Sequence, residues 1–121
     1  MFNSAIKNYE LALSRDPHNP RRFIDLGNLW QEAFLQTRSP AVGEKAGFFY
    51  SDGVSRYPAD AYLRAQYALL LQEIGDIPQA ISEANRALQL DEANNLAGHT
   101  DQRLDEGVQE TLKHLIEEGL K

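Results

Sequence analysis

Residues 61–94 decide the fold, and their sequence is AYLRAQYALLLQEIGDIPQAISEANRALQLDEAN. Apolar and small residues recur there at the three- and four-residue spacing of one helix face. The Gly-Asp pair at 75–76 interrupts this spacing and predicts a tight turn between two helices. After the turn, Ala80, Ala84 and Ala87 keep one face of the second helix small, so that a neighbouring helix can approach it closely. The stretch therefore predicts two antiparallel helices that pack along each other.

A related pattern of small and aromatic residues occurs twice more in the chain. Counting back 34 positions from the three alanines gives Ala46, Tyr50 and Gly53, and counting back a further 41 gives Ala5, Tyr9 and Ala12. Internal similarity at such a period is the signature of helical repeats that stack side by side. Repeats of this kind usually offer a binding surface and carry no reaction centre.

The rest of the chain also reads as helices that are separated by short breaks. We expect helices over residues 3–14, 21–37, 44–56, 61–74 and 78–90, each with apolar residues at helical spacing. Pro17 and Pro20 end the first helix, and Ser39 with Pro40 ends the second. No segment shows the alternation of a β-strand. Because the connections are short, successive helices should be antiparallel neighbours in an all-α fold.

Residues 95–121 depart from the repeat pattern and predict a different kind of helix. A polar segment at 95–101 is followed by an apolar stripe that consists of Leu104, Val108, Leu112, Leu115 and Ile116. The face opposite this stripe is strongly polar. We expect a capping helix on the last repeat, since repeat arrays protect their ends with a polar outer face. The alternative is a helix that docks on another protein or subunit.

Residues 61–94 resemble one complete tetratricopeptide repeat. The positions that match the pattern of this family are Tyr67, Ala68, Leu71, Gly75, Asp76, Ala80, Ile81, Ala84, Ala87, Leu88, Leu90 and Asp91. Two positions depart from it. The family usually has a large apolar residue where this chain has Arg64, and a proline where it has Glu92.

The preceding residues resemble further repeats of the same family. Residues 20–60 resemble a second repeat, in which seven extra residues at 36–42 separate the two helices. Residues 1–19 resemble only the second helix of a truncated repeat. The resemblance implies antiparallel helical hairpins that stack in a right-handed superhelix, with 95–121 as its C-terminal capping helix.

In the family, the first helices of successive repeats line a concave groove that binds peptides or partner segments. The resemblance therefore implies a partner-binding groove formed by Arg21, Ile24, Asp25, Asn28, Gln31, Tyr62, Ala65, Gln66, Leu69 and Gln72. A neutral, amide-rich groove suits an extended peptide that is held by side-chain hydrogen bonds to its backbone. The acidic chaperone tails that some relatives bind need several Lys, Arg and Asn residues, and only Arg21 and Asn28 qualify here. The insertion at 36–42 should project from one edge, either as a second binding element or as an inert spacer.

Composition excludes several other classes of function. The chain has 121 residues, a net charge of −6 and no cysteine, which rules out disulfides and thiolate metal sites. An acidic protein is poorly suited to bind nucleic acid through phosphates, and no apolar run reaches the ~20 residues that span a bilayer. His18, His99 and His114 lack the spacing of metal ligands. We therefore expect no catalysis, no metal and no cofactor, and the compartment stays open between cytoplasm and periplasm.

Two questions about the intact protein remain open in the sequence. The half repeat at the start leaves one face of the first helix uncovered, so we expect the natural protein to continue upstream. The alternative is a homodimer through this first helix or through the C-terminal helix. The run 90–104, with Leu90, Asp91, His99, Asp101 and Leu104, is similar to the end of the repeat tail in bacterial O-antigen polymerase or ligase relatives. That similarity implies a soluble appendage beside polysaccharide assembly, tethered to a membrane through upstream sequence, as an alternative to a free-standing interaction module.

Overall fold

Six α-helices make up the part of the protein that the structure describes. The computed structural model describes residues 2–16, 18–99 and 103–120, and only the backbone of Phe2. The helices are α1 (Phe2–Arg15), α2 (Pro20–Thr37), α3 (Pro40–Arg56), α4 (Ala61–Ile74), α5 (Ile77–Leu96) and α6 (Glu106–Gly119), and no strand occurs within those ranges. The prediction of an all-α chain is confirmed. The predictions made for Met1, Pro17 and Asp101 lie outside the described residues.

Short polar side chains cap the first turns of α2, α4, α5 and α6. The Asp60 side chain accepts a hydrogen bond from the backbone N–H of Leu63 at 3.0 Å, at the start of α4. Asn19 and Asp105 cap α2 and α6 in the same way. Such caps satisfy backbone donors that the helix itself cannot pair. The predicted turn after α4 is confirmed, because Gly75 has φ of +100° and Asp76 donates its N–H to the carbonyl of Leu71 at 2.9 Å.

The expectation of a projecting loop at 36–42 is wrong. Helix α2 continues to Thr37 and α3 already begins at Pro40, so only Arg38 and Ser39 connect them. Pro40 lies in the first turn of α3, where its missing N–H is not needed. Gly43 does not break the helix either, because it packs under the ring of Phe34, whose Cδ1 atom would lie 3.0 Å from an added Cβ. The extra residues therefore lengthen two helices instead of forming a loop.

Helix α5 is longer than the sequence pattern predicts. It was expected to end at Leu90, but it continues to Leu96. Tetratricopeptide repeats usually have a proline at the position of Glu92. Because Glu92 has a backbone N–H, it can continue the helical hydrogen bonding. The helix ends before Gly98, which has φ of +79°, and His99 donates its N–H to the carbonyl of Asn94 at 2.8 Å.

The helices pack as a succession of neighbours, as predicted. Each helix contacts the next one along the chain from α1 to α6. In addition, α2 contacts α4 and α4 contacts α6, whereas α1 and α3 do not contact each other and neither do α3 and α5 within the described ranges. We call α2, α4 and α6 the inner layer, and α1, α3 and α5 the outer layer.

Large side chains fill spaces that small residues leave open. Tyr50 of α3 is completely buried and crosses Gly27 of α2 so closely that an added Cβ would lie within 2.7 Å of three carbons of the ring. Gly53 likewise accommodates Phe23 and Leu63, whose nearest atoms would lie 2.8 and 2.9 Å from an added Cβ. Gly27 and Tyr50 thus form a contact of a small residue with a large one. It brings α2 and α3 close together without a void.

Helix α6 packs on α4 and α5 through the apolar stripe that the sequence predicts. Leu104, Leu112 and Leu115 are buried, and Val108 and Ile116 are half-buried. The opposite face of α6 is exposed and charged. The C-terminal end of the helix is also closely packed, because an added Cβ on Gly119 would lie 2.6 Å from Ile81.

Candidate partner-binding surface

Most of the predicted groove residues lie on the accessible side of the inner layer. Those with accessible surface are Arg21, Asp25, Asn28, Gln31, Tyr62, Gln66, Leu69 and Gln72. We call the surface that they form on α2 and α4 the inner face. Arg21 and Tyr62 are its most exposed side chains, and the others are half-buried. The assignment of these residues to a binding groove stays a prediction.

Two of the predicted groove residues belong to the core instead. Ile24 is 4% exposed and Ala65 is completely buried, so neither offers surface to a partner. The reason is the number of neighbours. Helix α4 contacts α2, α3, α5 and α6, which buries positions on most of its circumference and leaves only a narrow accessible strip. Matching single residues to a family pattern could not predict this, because the pattern does not say how much of each helix surface is buried in this chain.

The most organised part of the inner face is a pair of amide side chains on α2. Asn28 and Gln31 both lie within hydrogen-bond distance of the hydroxyl of Tyr50, and the Gln31 Oε1 atom is 2.8 Å from it. The hydroxyl has one hydrogen and therefore donates to one amide at a time, so the other amide can turn its NH₂ group to the hydroxyl oxygen. Burial, and to a smaller extent nearby Tyr62, raises the pKa of Tyr50, so that the hydroxyl keeps its proton.

The remaining polar groups of α2 on this face are an exposed arginine and a half-buried aspartate. Arg21 and Asp25 form an ion pair at 3.2 Å with one helical turn between them, and the Arg21 side chain is 64% exposed. Exposed pairs of this kind contribute little stability. Asp25 and Asn28 also line a small cleft of about 190 Å³, together with Tyr9 of α1. This cleft lies where α2 meets the first helix, at the border of the inner face.

A larger cleft opens at the N-terminal ends of α4 and α6. Its volume is about 420 Å³, and its lining includes Asp60, Tyr62, Asn94, Arg103 and Asp105. Only Tyr62 was predicted as a site residue. The others were missed because α4, α5 and the segment before α6 meet here through tertiary packing, which leaves no signal in the spacing of the residues.

An ion pair fixes one wall of this cleft. The Asp91 carboxylate, only 3% exposed, accepts hydrogen bonds from Arg103 Nε at 3.0 Å and Nη2 at 2.9 Å, and from Leu104 N–H at 2.6 Å. Burial alone would raise the pKa of Asp91, but these hydrogen bonds and the Arg103 charge lower it below its ordinary value of 3.8. The pair thereby holds the segment before α6 against α5.

A second cleft of about 420 Å³ lies at the C-terminal half of α2, beside the start of α3. Leu29, Ala33 and Val42 make it largely apolar, and Glu32, Gln36 and Thr37 complete its lining. It shares Leu29 and Glu32 with the small cleft that Tyr9 of α1 lines. The face of α1 that was predicted to be uncovered carries Ile6, Tyr9 and Leu13. Ile6 is buried, Leu13 is half-buried and Tyr9 is 37% exposed, so part of this face is accessible.

The described residues contain no group of three or more His, Cys, Asp or Glu side chains that could hold a metal ion. None of the described helices combines the length and the apolar character that crossing a bilayer requires. Comparison of the chain with models of protein families gives no match, and a search among curated proteins gives none either.

Proposed function

We propose that this chain is a non-catalytic interaction module of the tetratricopeptide type, which binds an extended peptide or partner segment along the inner face. The observation that carries the proposal is the difference between the two helix layers. Helices of the inner layer contact one another from α2 to α4 to α6, whereas the described residues of the outer-layer helices make no such contacts with one another. A stack that is tighter on one side than on the other curves toward the tight side, which makes the inner face concave.

The side chains on this face suit an extended peptide better than a small molecule. Four of the eight accessible side chains are amides, and the others are an exposed Tyr, an Arg–Asp pair and the half-buried Leu69, so they offer many hydrogen bonds and little apolar surface. An extended peptide has unpaired N–H and C=O groups along its whole length. The cleft beside Tyr62 lies at one end of this face and has room for a side chain of the ligand.

Binding to a random-sequence peptide library tests the proposal. Peptides selected on the whole chain are titrated against the wild type and against a triple variant with Arg21→Ala, Asn28→Ala and Gln66→Ala. We expect the triple variant to bind at least about tenfold more weakly, which corresponds to ~1.4 kcal/mol. Circular dichroism and thermal unfolding verify that the variant is folded.

A matched control is available on the outer layer. Asn85, Arg86 and Gln89 are exposed on α5 and have the same side-chain types as the three inner-face residues. Replacing all three by alanine should leave the affinity unchanged. The inner face is the wrong surface if the first triple variant keeps its affinity, or if the α5 variant loses as much.

A further inference from the structure

We infer that Tyr50 is a positioning residue for the inner face. Its buried hydroxyl holds the amides of Asn28 and Gln31 in a fixed orientation, in which the two amides together bind the main chain of an extended peptide. The inference rests on the proposed function, and it adds which part of the peptide is recognised and what prepares the surface for it.

The position of the Tyr50 hydroxyl is set by packing. The side chain is completely buried, lies against Gly27, and its ring centre is 6.2 Å from that of Tyr67. A ring enclosed in this way cannot shift without opening the contact between α2 and α3. The hydroxyl therefore has a fixed position, and hydrogen bonds to it can restrict the motion of the flexible amide side chains.

The single hydrogen of the Tyr50 hydroxyl determines which donors and acceptors of the two amides remain available to a ligand. One amide accepts the hydroxyl hydrogen through its oxygen and keeps its NH₂ group available. The other donates to the hydroxyl oxygen and keeps its carbonyl available. In the structure both amide oxygens, Asn28 Oδ1 and Gln31 Oε1, lie at the hydroxyl, and because one hydrogen cannot serve both, one of the two amides must be turned. The pair then presents one donor and one acceptor, which complement the C=O and N–H groups that an extended chain presents on one side at every second residue.

The spacing and accessibility of the amides agree with this role. Side chains three residues apart on a helix have Cβ atoms about 5–6 Å apart, close to the ~6.6 Å between alternate residues of an extended chain. Asn28 lines the small cleft on the inner face, so its outer edge is accessible. Recognition through the main chain predicts weak dependence on the peptide sequence at this point of the groove.

The variant Tyr50→Phe removes only the hydroxyl, and Tyr67→Phe is its matched control. Tyr67 is 8% exposed, and its hydroxyl accepts a hydrogen bond from Gln79 Nε2 at 3.2 Å, away from the two amides. The first measurement needs no ligand: NMR relaxation of the side-chain NH₂ groups in the free protein. We expect the order parameters of Asn28 and Gln31 to fall from the rigid to the flexible range in Tyr50→Phe and to stay unchanged in Tyr67→Phe.

The second measurement is the affinity of both variants for peptides selected on the wild type. We expect about tenfold weaker binding for Tyr50→Phe than for Tyr67→Phe at similar thermal stability. Unchanged amide order in Tyr50→Phe overturns the positioning role whether or not a peptide binds. Lost order with unchanged affinity overturns main-chain recognition by the amide pair. If no peptide binds the wild type, the proposed function fails, and the NMR result still decides what Tyr50 does to the amides.

Discussion

At the scale of single residues, Gly27 is a helical position where the folded chain leaves no room for a side chain. A glycine inside a helix is normally about 1 kcal/mol less favourable than alanine, so Gly27→Ala would stabilise an isolated α2. In the folded chain the new methyl group would overlap the enclosed ring of Tyr50. Overpacking of this kind costs ~1–3 kcal/mol or more. We therefore expect Gly27→Ala to be destabilising by ~2 kcal/mol in urea unfolding.

Gly47 provides the matched control for this prediction. It lies inside α3, and an added Cβ would meet only Leu70 Cδ2, at an ordinary contact distance of 3.9 Å. Gly47→Ala should raise the free energy of unfolding by up to ~1 kcal/mol through helix propensity. Equal effects of the same sign in both variants would show that the fit between Gly27 and Tyr50 is loose.

Residue spacing predicts packing better than it predicts polar contacts. The place of Tyr50 and Gly53 in the core follows from the recurrence of small and large residues, because packing constrains every repeat in the same way. The hydrogen bonds between the Tyr50 hydroxyl and the two amides could not be predicted, since they depend on where the end of the long tyrosine side chain lies. The burial of Ile24 and Ala65 was missed for a related reason, because it depends on how many helices surround each position.

At the scale of the helices, the connection between α5 and α6 depends on one carboxylate. Asp91 binds Arg103 and the backbone of Leu104. Because the pKa of Asp91 is lower in the folded than in the unfolded chain, its stabilising effect is present above the ordinary pKa of 3.8. The effect is lost as the pH falls through the lower pKa of the folded state.

Replacing this carboxylate by an amide tests the sign of that argument. We expect Asp91→Asn to be ~2 kcal/mol less stable than the wild type at pH 7, because charge-assisted hydrogen bonds are lost. The difference in thermal unfolding should shrink as the pH is lowered toward 3. Asp52→Asn makes the same charge change in the more exposed pair with Arg56, at 3.4 Å, and should have a much smaller effect. A constant difference at all pH values would contradict the role of Asp91 ionisation.

Helix boundaries were predictable at residue types that favour one structural role, and unpredictable at residue types that can both end and begin a helix. Gly75 ends α4 as expected, because a left-handed conformation favours glycine. Proline is ambiguous, since it can end one helix or begin the next, and Pro40 begins α3. Arg64 was recognised as a departure from the family pattern, but its partner was not. In the structure it donates to Glu83 of α5 at 2.9 Å and to the Pro58 carbonyl at 2.8 Å.

At the scale of the whole molecule, the succession of helices is encoded locally, whereas the clefts are not. Each apolar stripe and each break lies within one segment, so the all-α chain of neighbouring helices can be derived from spacing. The cleft beside Tyr62 requires α4, α5 and the segment before α6 to meet. The similarity of 90–104 to O-antigen polymerase or ligase relatives stays a prediction, and the structure gives Asp91 and Leu104 a packing role that needs no such function.

The same arrangement predicts that the helices do not share one stability. In a stack that is stabilised by contacts between neighbours, the free energy needed to open a helix rises with the number of helices that cover it. Helix α4 contacts four other helices, whereas among the described residues α1 contacts α2 alone. Hydrogen exchange of the native protein should therefore be slowest in α4 and fastest in α1. Two core substitutions distinguish local from global opening, because Leu63 in α4 is completely buried and Ile6 in α1 is 8% exposed.

We expect Leu63→Ala to lower protection in α2 to α6 together, by the ~2–5 kcal/mol that such a truncation costs in a packed core. Ile6→Ala should increase exchange in α1 and leave α4 unchanged, because α1 can open without exposing the centre of the stack. If Ile6→Ala lowers protection equally in all six helices, α1 and α4 unfold as one cooperative unit. The picture of a stack that opens from its end would then be wrong, and a peptide bound across α2 and α4 would stabilise α1 as strongly as the helices it contacts.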